Sequence, residues 1–233
     1  MASSSYIIWD FDGTLGHRTG MWSGTLLEVL RSHGLGASLT TEQIRPFLAS
    51  GFRWHKADVM RRPCTADEWW LELEPLFERA FREAAGLPQT QASKLAKEVR
   101  STYLLPAQWQ LFPDVLETLA TLRIAGWRHV LLSNHVPEFR FILQSLGLID
   151  HFTLIFNSAD TGIEKPHREA FENVRRSLPP DSKIWMVGDN FAADIQGAEG
   201  VGIPAILVRK SHPEAKRHTE QLTGVIAWLE EPD

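Results

Sequence analysis

The sequence has little cysteine, no long apolar run and no run of basic residues. Cys64 is the only cysteine among 233 residues, so an internal disulfide is impossible and a reducing compartment is indicated. No apolar stretch approaches the roughly 20 residues that a membrane-spanning helix needs. The formal net charge of -5 and the lack of a basic run argue against a general nucleic-acid-binding protein. We therefore expect neither nucleic acid nor a membrane as a partner.

The rest of the composition is that of an ordinary globular protein. Hydrophobic residues make up 43% of the chain and charged residues 23%. A length of 233 residues predicts one large domain, or one domain with a smaller companion. The first five residues, MASSS, lack the basic segment and following apolar stretch of a signal peptide, so we expect a cytoplasmic location.

Two aspartates follow the first apolar segment of the chain. Tyr6 to Trp9 has the pattern of a short strand that is buried on both faces. If the chain stays extended after it, the side chains of Asp10 and Asp12 point to the same side. Two carboxylates so close together repel each other unless a cation or a shared proton stabilises them. Alternatively, both are solvated residues of a turn at Gly13.

Helical patterns fill the region from residue 16 to residue 105, which contains no convincing strand. We expect at least four helices there, including residues 22–31, 41–49 and 91–104. A further helix begins at Thr65, which forms a capping-box pattern with Glu68, and ends at Gly86. Pro75 lies inside that helical pattern and is expected to kink or split the helix.

From Pro113 onward, strand patterns alternate with helix patterns. Strands are expected at about residues 128–132, 152–156, 184–187 and 205–208, with a helix between each pair. This alternation predicts an α/β fold with a doubly wound parallel sheet. Residues 1–15 and 106–233 would form that α/β core domain, and residues 16–105 would form an all-helical domain inserted into it.

Polar side chains follow four of the predicted strands. They are Asp10 and Asp12 after the first strand, Ser133 after the second, Lys165 after the third, Asp189 after the fourth, and Asp194 one helical turn further on. Because the ends of parallel strands share one edge of a sheet, we expect these side chains to converge. Carboxylates bind hard cations such as Mg²⁺, whereas lysine, hydroxyl and backbone N–H groups bind phosphate. Each residue alone could be an ordinary cap, turn former or solvated side chain, but their joint order argues against that interpretation.

With these residues in this order, the chain resembles the haloacid dehalogenase (HAD) superfamily, in particular its phosphoglycolate phosphatase-like members with a helical cap. The four motifs that carry the resemblance are residues 10–15 (DFDGTL), 133–134 (SN), 162–166 (GIEKP) and 188–194 (GDNFAAD). The resemblance covers essentially the whole chain, and the helical region 16–105 lies where this superfamily inserts its cap. It implies a Rossmann-like core and Mg²⁺-dependent hydrolysis of a small phosphomonoester.

The resemblance also implies roles for individual residues. Asp10 would be the nucleophile that forms an aspartyl-phosphate, and Asp12 would be the general acid and base. Ser133 and the backbone N–H of Asn134 would bind phosphoryl oxygens, and Lys165 would neutralise their charge.

The same resemblance implies a magnesium site. Asp10, the backbone carbonyl of Asp12 and Asp189 would hold the cation. Asp194 would act from further away by orienting Lys165 or a water molecule of the metal.

Substrate contacts from the cap are expected in the loop 51–56, which mixes cationic and aromatic residues. The candidates are Arg53, Trp54 and His55, together with Arg18 near the start of the cap. The alternative is that Phe52 and Trp54 pack inside the cap while Arg53 and Lys56 are solvated. A cation in this loop would suit an acidic or phosphorylated substrate.

Other activities on the same fold stay open. A phosphonate hydrolase would use a cap lysine as a Schiff base, and Lys56 is the only lysine in the candidate loop. A phosphomutase would pass the phosphoryl group to a sugar hydroxyl instead of water. A dehalogenase is disfavoured, since the metal-free branch of the superfamily does not need Asp12. A catalytically silent binding module is the alternative from another class, and the complete set of motif residues argues against it.

Overall fold

A computed structural model describes residues 4–230 of the chain. The first half contains mostly helices: β1 (Ser5–Trp9), β2 (Gly16–Arg18), α1 (Met21–Ser32), α2 (Thr41–Ile44), α3 (Ala66–Ala85), α4 (Gln89–Tyr103) and β3 (Trp109–Leu111). In the second half strands and helices alternate: α5 (Val115–Ile124), β4 (Trp127–Ser133), α6 (Phe139–Ser145), β5 (Phe152–Asn157), α7 (Ser158–Thr161), α8 (Arg168–Arg176), β6 (Lys183–Gly188), α9 (Gly197–Glu199), β7 (Ala205–Val208), β8 (His218–Thr219) and α10 (Val225–Glu230). Residues 1–3 and 231–233, which the predicted core domain includes, lie outside the described residues.

The central sheet has six parallel strands in the order β5-β4-β1-β6-β7-β8. Trp9 at the end of β1 is paired with Leu131 of β4 and Val187 of β6, so the chain leaves all three strands along one edge. Alternate residues such as Ile8, Val130 and Met186 form a fully buried cluster with the helices on one face. The predicted α/β fold with a doubly wound parallel sheet is confirmed.

The chain divides into two compact units. The first contains the described residues of Met1–His17 and Leu111–Asp233, together with Ala57–Pro63; the second contains Arg18–Lys56 and Cys64–Gln110. The second unit is built around α3 and α4, whose apolar faces bury side chains such as Phe77 and Val99. The predicted limits of the inserted domain, residues 16 and 105, stay a prediction.

Pro75 is predicted to kink or split its helix, and a split is wrong, because α3 runs through it without a break. A kink at Pro75 stays a prediction. The carbonyl that loses its helical hydrogen bond is that of Leu71, four residues earlier. Leu71 is 63% exposed, so this turn of α3 lies on the surface of its unit. Thr65 and Glu68 form the predicted capping box at the start of α3.

Three other predictions of local structure need correction. The region 16–105 does contain a strand, β2, which is only three residues long and too short to leave a period-two pattern. The predicted helix 41–49 is α2 followed by a 3-10 turn, Arg45–Leu48, because Pro46 has no N–H to continue the α-helical bonding. The helix predicted between the strands at 184–187 and 205–208 begins as a π-helix, Phe191–Gln196, before α9.

Candidate active site

The turn after β1 places Asp10 at the carboxyl edge of the sheet. The backbone N–H of Asp10 still donates to Val187 O (2.9 Å), so Asp10 is held in line with β1. The chain then turns at Gly13, whose φ of +80° favours glycine. A Cβ atom at Gly13 would lie 2.4 Å from Asp189 Oδ2, so the turn also needs a glycine to let the two motifs approach.

Three side chains donate hydrogen bonds to the buried carboxylate of Asp10. Lys165 Nζ lies 2.7 Å from Asp10 Oδ1, and Ser133 Oγ lies 3.4 Å from the same oxygen. Thr14 Oγ1 lies 3.3 Å from Asp10 Oδ2. The structure therefore brings together Asp10, Ser133 and Lys165, which the sequence placed at the ends of three separate strands.

Lys165 is a buried ammonium held between two carboxylates. Its Nζ donates to Asp10 Oδ1 (2.7 Å) and to Asp194 Oδ1 (2.6 Å). Burial alone would lower the pKa of Lys165, but the charges of Asp10 and Asp194 outweigh burial and hold that pKa above its usual value. The ammonium is therefore a permanent positive charge at this edge of the sheet.

Asn134 fixes the loop that carries Lys165. Asn134 Oδ1 accepts a hydrogen bond from the backbone N–H of Lys165 (2.7 Å), and Asn134 Nδ2 donates to Lys165 O (2.9 Å). Both groups of the amide are engaged with one residue, so the Asn134 side chain serves as a clamp on the lysine loop. Sequence reasoning assigned only the backbone N–H of Asn134 to the site.

Asp10, Asp189 and Asp194 form a cluster of carboxylates, and one oxygen from each lies within 4.8 Å of the others. Burial raises the pKa of Asp189, helped by the nearby charge of Asp10 and opposed by Lys210. Burial also raises the pKa of Asp194, to about 7, although Lys165 opposes the shift. A Cβ atom at Gly188 would lie 2.2 Å from Asp194 Oδ2, so the glycine makes room for this carboxylate.

The donor set of this cluster suits a hard divalent cation. Carboxylate oxygens are the ligands that Mg²⁺ prefers, and two of these carboxylates pay a desolvation cost that a nearby cation would offset. Lys165 already binds one oxygen of Asp10 and one of Asp194, which leaves Asp189 as the group that the buried lysine does not touch.

Asp12 lies beside a histidine that sequence reasoning missed. His135 Nε2 is 3.6 Å from Asp12 Oδ1, and the imidazole is buried. The ring stacks on Phe139 with the centroids 4.4 Å apart and packs against Phe11 in a T-shaped, edge-to-face arrangement with the centroids 5.7 Å apart. His135 directly follows the Ser133-Asn134 motif, and this adjacency is the one sequence signal that could have singled it out.

Two predicted substrate ligands of the cap are committed to ion pairs inside the second unit. Arg18 is buried and donates to Glu28 Oε2 (2.6 Å) and Thr102 O (3.1 Å). Arg53 is also buried and donates to Glu72 Oε2 (2.5 Å). The alternative in which Arg53 is solvated is therefore wrong, because Arg53 is buried and Glu72 of α3 neutralises its charge. A contact between Arg53 and substrate stays a prediction.

Trp54 and His55 line a cavity of about 410 Å³ within the second unit. Trp22 and Phe52 also line this cavity, and the rings of Phe52 and Trp54 stack with their centroids 4.6 Å apart. Phe52 is buried, as the alternative interpretation of the loop expected, and Lys56 is exposed. Of the four predicted cap ligands, Trp54 and His55 are the two whose side chains border open space.

The fold and the carboxylate-lysine site define an α/β enzyme of the hydrolase class. The model of the haloacid dehalogenase-like hydrolase family matches residues 5–202, and the chain belongs to this family. Membership of the HAD superfamily, predicted from the four motifs, is confirmed. None of the helices within residues 4–230 combines the length and apolar character that crossing a bilayer requires.

Three proteins show the range of the similarity. The chain is 30% identical to haloacid dehalogenase-like hydrolase domain-containing protein 3 of Mus musculus over 156 residues, which cover 66% of this chain and 61% of that protein. It is 29% identical to ribulose-1,5-bisphosphate 5-phosphatase of Halopiger xanaduensis, covering 86% of this chain and 83% of that protein. YfnB of Bacillus subtilis, described as a HAD-hydrolase and crystallised with magnesium, has the same fold with a TM-score of 0.77 at 19% identity, covering 99% of this chain and 100% of that one.

Proposed function

We propose that the protein is a Mg²⁺-dependent phosphatase that hydrolyses a small phosphomonoester through an aspartyl-phosphate on Asp10. The observation that carries this proposal is the buried ammonium of Lys165, shared between Asp10 and Asp194 beside Asp189. A carboxylate nucleophile, a fixed cation and a carboxylate cluster at one sheet edge are what phosphoryl transfer to an aspartate needs. Relatives that are named phosphatases, such as the Halopiger protein, support the same reaction class.

The first half of the reaction forms a bond between Asp10 and phosphorus. One oxygen of Asp10 attacks the phosphorus atom, and the bond from phosphorus to the leaving oxygen breaks. Asp12 gives its proton to that oxygen, so the product leaves as an alcohol. Ser133 Oγ and the backbone N–H of Asn134 hold the phosphoryl oxygens, and Lys165 stabilises their negative charge.

The second half restores the enzyme. Asp12, now a carboxylate, takes a proton from water, and the water oxygen attacks the phosphorus of the aspartyl-phosphate. The bond between phosphorus and Asp10 breaks, which releases inorganic phosphate. His135 lies 3.6 Å from Asp12 Oδ1 and packs between aromatic rings, so it limits the directions in which this carboxylate can point.

Asp10, Asp189 and the backbone carbonyl of Asp12 would hold the magnesium ion, which neutralises charge between the anionic nucleophile and the anionic substrate. Asp194 serves mainly to hold Lys165, since its Oδ1 accepts from Nζ and its Oδ2 accepts from the backbone N–H of Asn190 (3.0 Å). In the cap, Trp54 and His55 stay candidates for substrate contact, whereas Arg18 and Arg53 serve first as internal counter-ions of the second unit.

The decisive variant is Asp10→Asn, assayed as phosphate release from an aryl phosphate with and without Mg²⁺. We expect metal-dependent turnover by the wild type and a loss of about 10⁴-fold or more in the variant, because the amide cannot act as the nucleophile. Asp150→Asn is the matched control, since Asp150 is an exposed aspartate of the same unit. Mass spectrometry of acid-quenched reactions should find the phosphoryl group on the peptide that contains Asp10.

Other outcomes would select another activity. Silence with aryl and metabolite phosphates, but turnover of a phosphonate and trapping of Lys56 by borohydride, would identify a phosphonate hydrolase. Transfer of phosphate to a sugar would identify a mutase. Silence across phosphates and phosphonates together would support a binding module instead of an enzyme.

A further inference from the structure

The loop after β7 is anchored on one side by Arg209. This residue has a left-handed backbone, with φ of +66°, which costs free energy in a residue with a side chain. Its guanidinium donates to both carboxylate oxygens of Asp114 (2.7 and 2.8 Å) and to Thr14 O (3.1 and 3.2 Å). It also lies over the ring of Phe112, 4.2 Å from the centroid. These contacts fix the backbone of the loop immediately before the next residue, Lys210.

The same loop is anchored on the other side by an aromatic stack. The imidazole of His212 lies parallel to the ring of Phe191, with the centroids 3.7 Å apart. Phe191 is the second residue after Asp189, so this stack ties the loop to the segment that carries the metal-ligand candidate. Between the two anchors, Lys210 Nζ lies 2.6 Å from Asp189 Oδ2.

The two lysines of the site differ in how firmly they are held. Lys165 is buried and binds two carboxylates, so it cannot leave the site without uncovering both charges. Among the described residues, the side chain of Lys210 binds only Asp189, and it is 62% exposed, so water can solvate its ammonium at little cost. Lys210 therefore neutralises Asp189, the carboxylate of the cluster that Lys165 does not bind, and it can dissociate from that carboxylate.

We propose that Lys210 is an exchangeable counter-ion of Asp189 that competes with the divalent cation and so sets the affinity of the site for metal. This inference rests on the proposed function, since it takes Asp189 to be a metal ligand. A cation that binds Asp189 must either displace the ammonium of Lys210 or bind the same carboxylate beside it. In the second case the two positive charges repel each other. The loop anchors keep the ammonium close, so that Asp189 regains its partner whenever the metal leaves.

The test is a direct titration of the full chain with Mg²⁺ by isothermal calorimetry at fixed ionic strength and without substrate. We expect Lys210→Met to bind Mg²⁺ about two- to fivefold more tightly than the wild type, the range that an exposed ion pair of this kind supports. Lys210→Arg keeps the charge and should bind no more tightly than the wild type. Lys216→Met is the matched control, because Lys216 is 70% exposed and pairs with Glu199, outside the carboxylate cluster.

Each remaining outcome overturns the proposal. Unchanged or weaker binding by Lys210→Met means that the lysine does not compete with the metal. An equal gain in Lys216→Met means that overall charge, not the contact with Asp189, sets the affinity. Binding that survives Asp189→Asn places the ion elsewhere. Because the titration needs no turnover, any of these results can occur in a chain that still releases phosphate, so failure here is distinct from failure of the proposed phosphatase.

Discussion

His129 in β4 is held in its neutral form by two ring contacts. Trp9 Nε1 donates to His129 Nδ1 (3.0 Å), while His129 Nε2 lies 3.0 Å from Leu119 O and donates to it. A second proton would have to go on Nδ1 and would break the bond from Trp9. Burial accordingly lowers the pKa of His129 to about 4.

The lowered pKa of His129 predicts that the folded protein loses stability in mild acid. The folded pKa of about 4 lies below the unfolded value of 6.5, so the unfolded chain binds more protons between these pH values. The contribution of neutral His129 to the free energy of unfolding amounts to about 3 kcal/mol. It is fully present above pH 6.5, declines as the pH falls, and is lost below pH 4. Urea unfolding between pH 7 and pH 4 should show this slope in the wild type.

His129→Gln is the control for that slope, since it removes the titrating group and leaves every other acid and base in place. The free energies of unfolding of the two proteins should converge as the pH falls from 6.5 toward 4. If the two plots of unfolding free energy against pH stay parallel over this range, His129 is not the source of the pH dependence.

At the residue scale, the sequence predicts the part of the site that motif order defines. Asp10, Ser133 and Lys165 each follow a strand, and strand ends converge in any parallel sheet. Lys210 and His135 belong to no such pattern, because their positions depend on loop conformations and on packing against Asp189 and Asp12. The ion pair of Arg53 is hidden from the sequence for a related reason, since its partner Glu72 lies in α3, far along the chain.

At the scale of elements, the segment Ala57–Pro63 interrupts the second unit and belongs to the first. Arg61 N donates to Gly162 O (2.8 Å), three residues before Lys165. Gly162 has a φ of +71°, and a Cβ atom there would lie 2.1 Å from Arg61 O. The glycine thus allows Ala57–Pro63 to lie directly against the loop that carries Lys165.

Gly162→Ala should detach this segment. The methyl group cannot fit against Arg61 O, so we expect trypsin to cleave the folded full chain after Arg61 several-fold faster than in the wild type. Gly147→Ala is a close control, because Gly147 has a similar φ of +69° but nothing within 4 Å of its Cβ position. Both variants carry the cost of about 1 kcal/mol for a left-handed alanine, and only Gly162→Ala adds the collision.

Equal cleavage rates in the two glycine variants would contradict this account.

Short segments such as Ala57–Pro63 mark the limit of what the sequence predicts about the fold. The long helices α1, α3 and α4 were predictable from apolar periodicity, whereas β2, β3 and β8 have only two or three residues and form through their neighbours. Nothing in residues 57–63 indicates that they group with the α/β unit.

At the scale of the whole molecule, each unit has a core of its own. The first buries both faces of β1 within the six-stranded sheet, as the apolar run Tyr6 to Trp9 predicts. The second buries the facing sides of α3 and α4. We therefore expect calorimetry to resolve two unfolding transitions, since units with separate cores need not unfold together. Phe77→Ala, which opens a cavity in the second unit, should lower that unit's transition and so identify it.

Magnesium should then raise only the other transition. The proposed ligands from Asp10, Asp12 and Asp189 all lie in the first unit, so a cation bound by them stabilises that unit alone. At a concentration of 100 times its dissociation constant, the gain is about 2.7 kcal/mol, and chelation by EDTA should reverse it. Asp189→Asn should remove the shift while leaving two transitions. A shift of the transition that Phe77→Ala identifies, or a shift that survives Asp189→Asn, would contradict this assignment of the metal site.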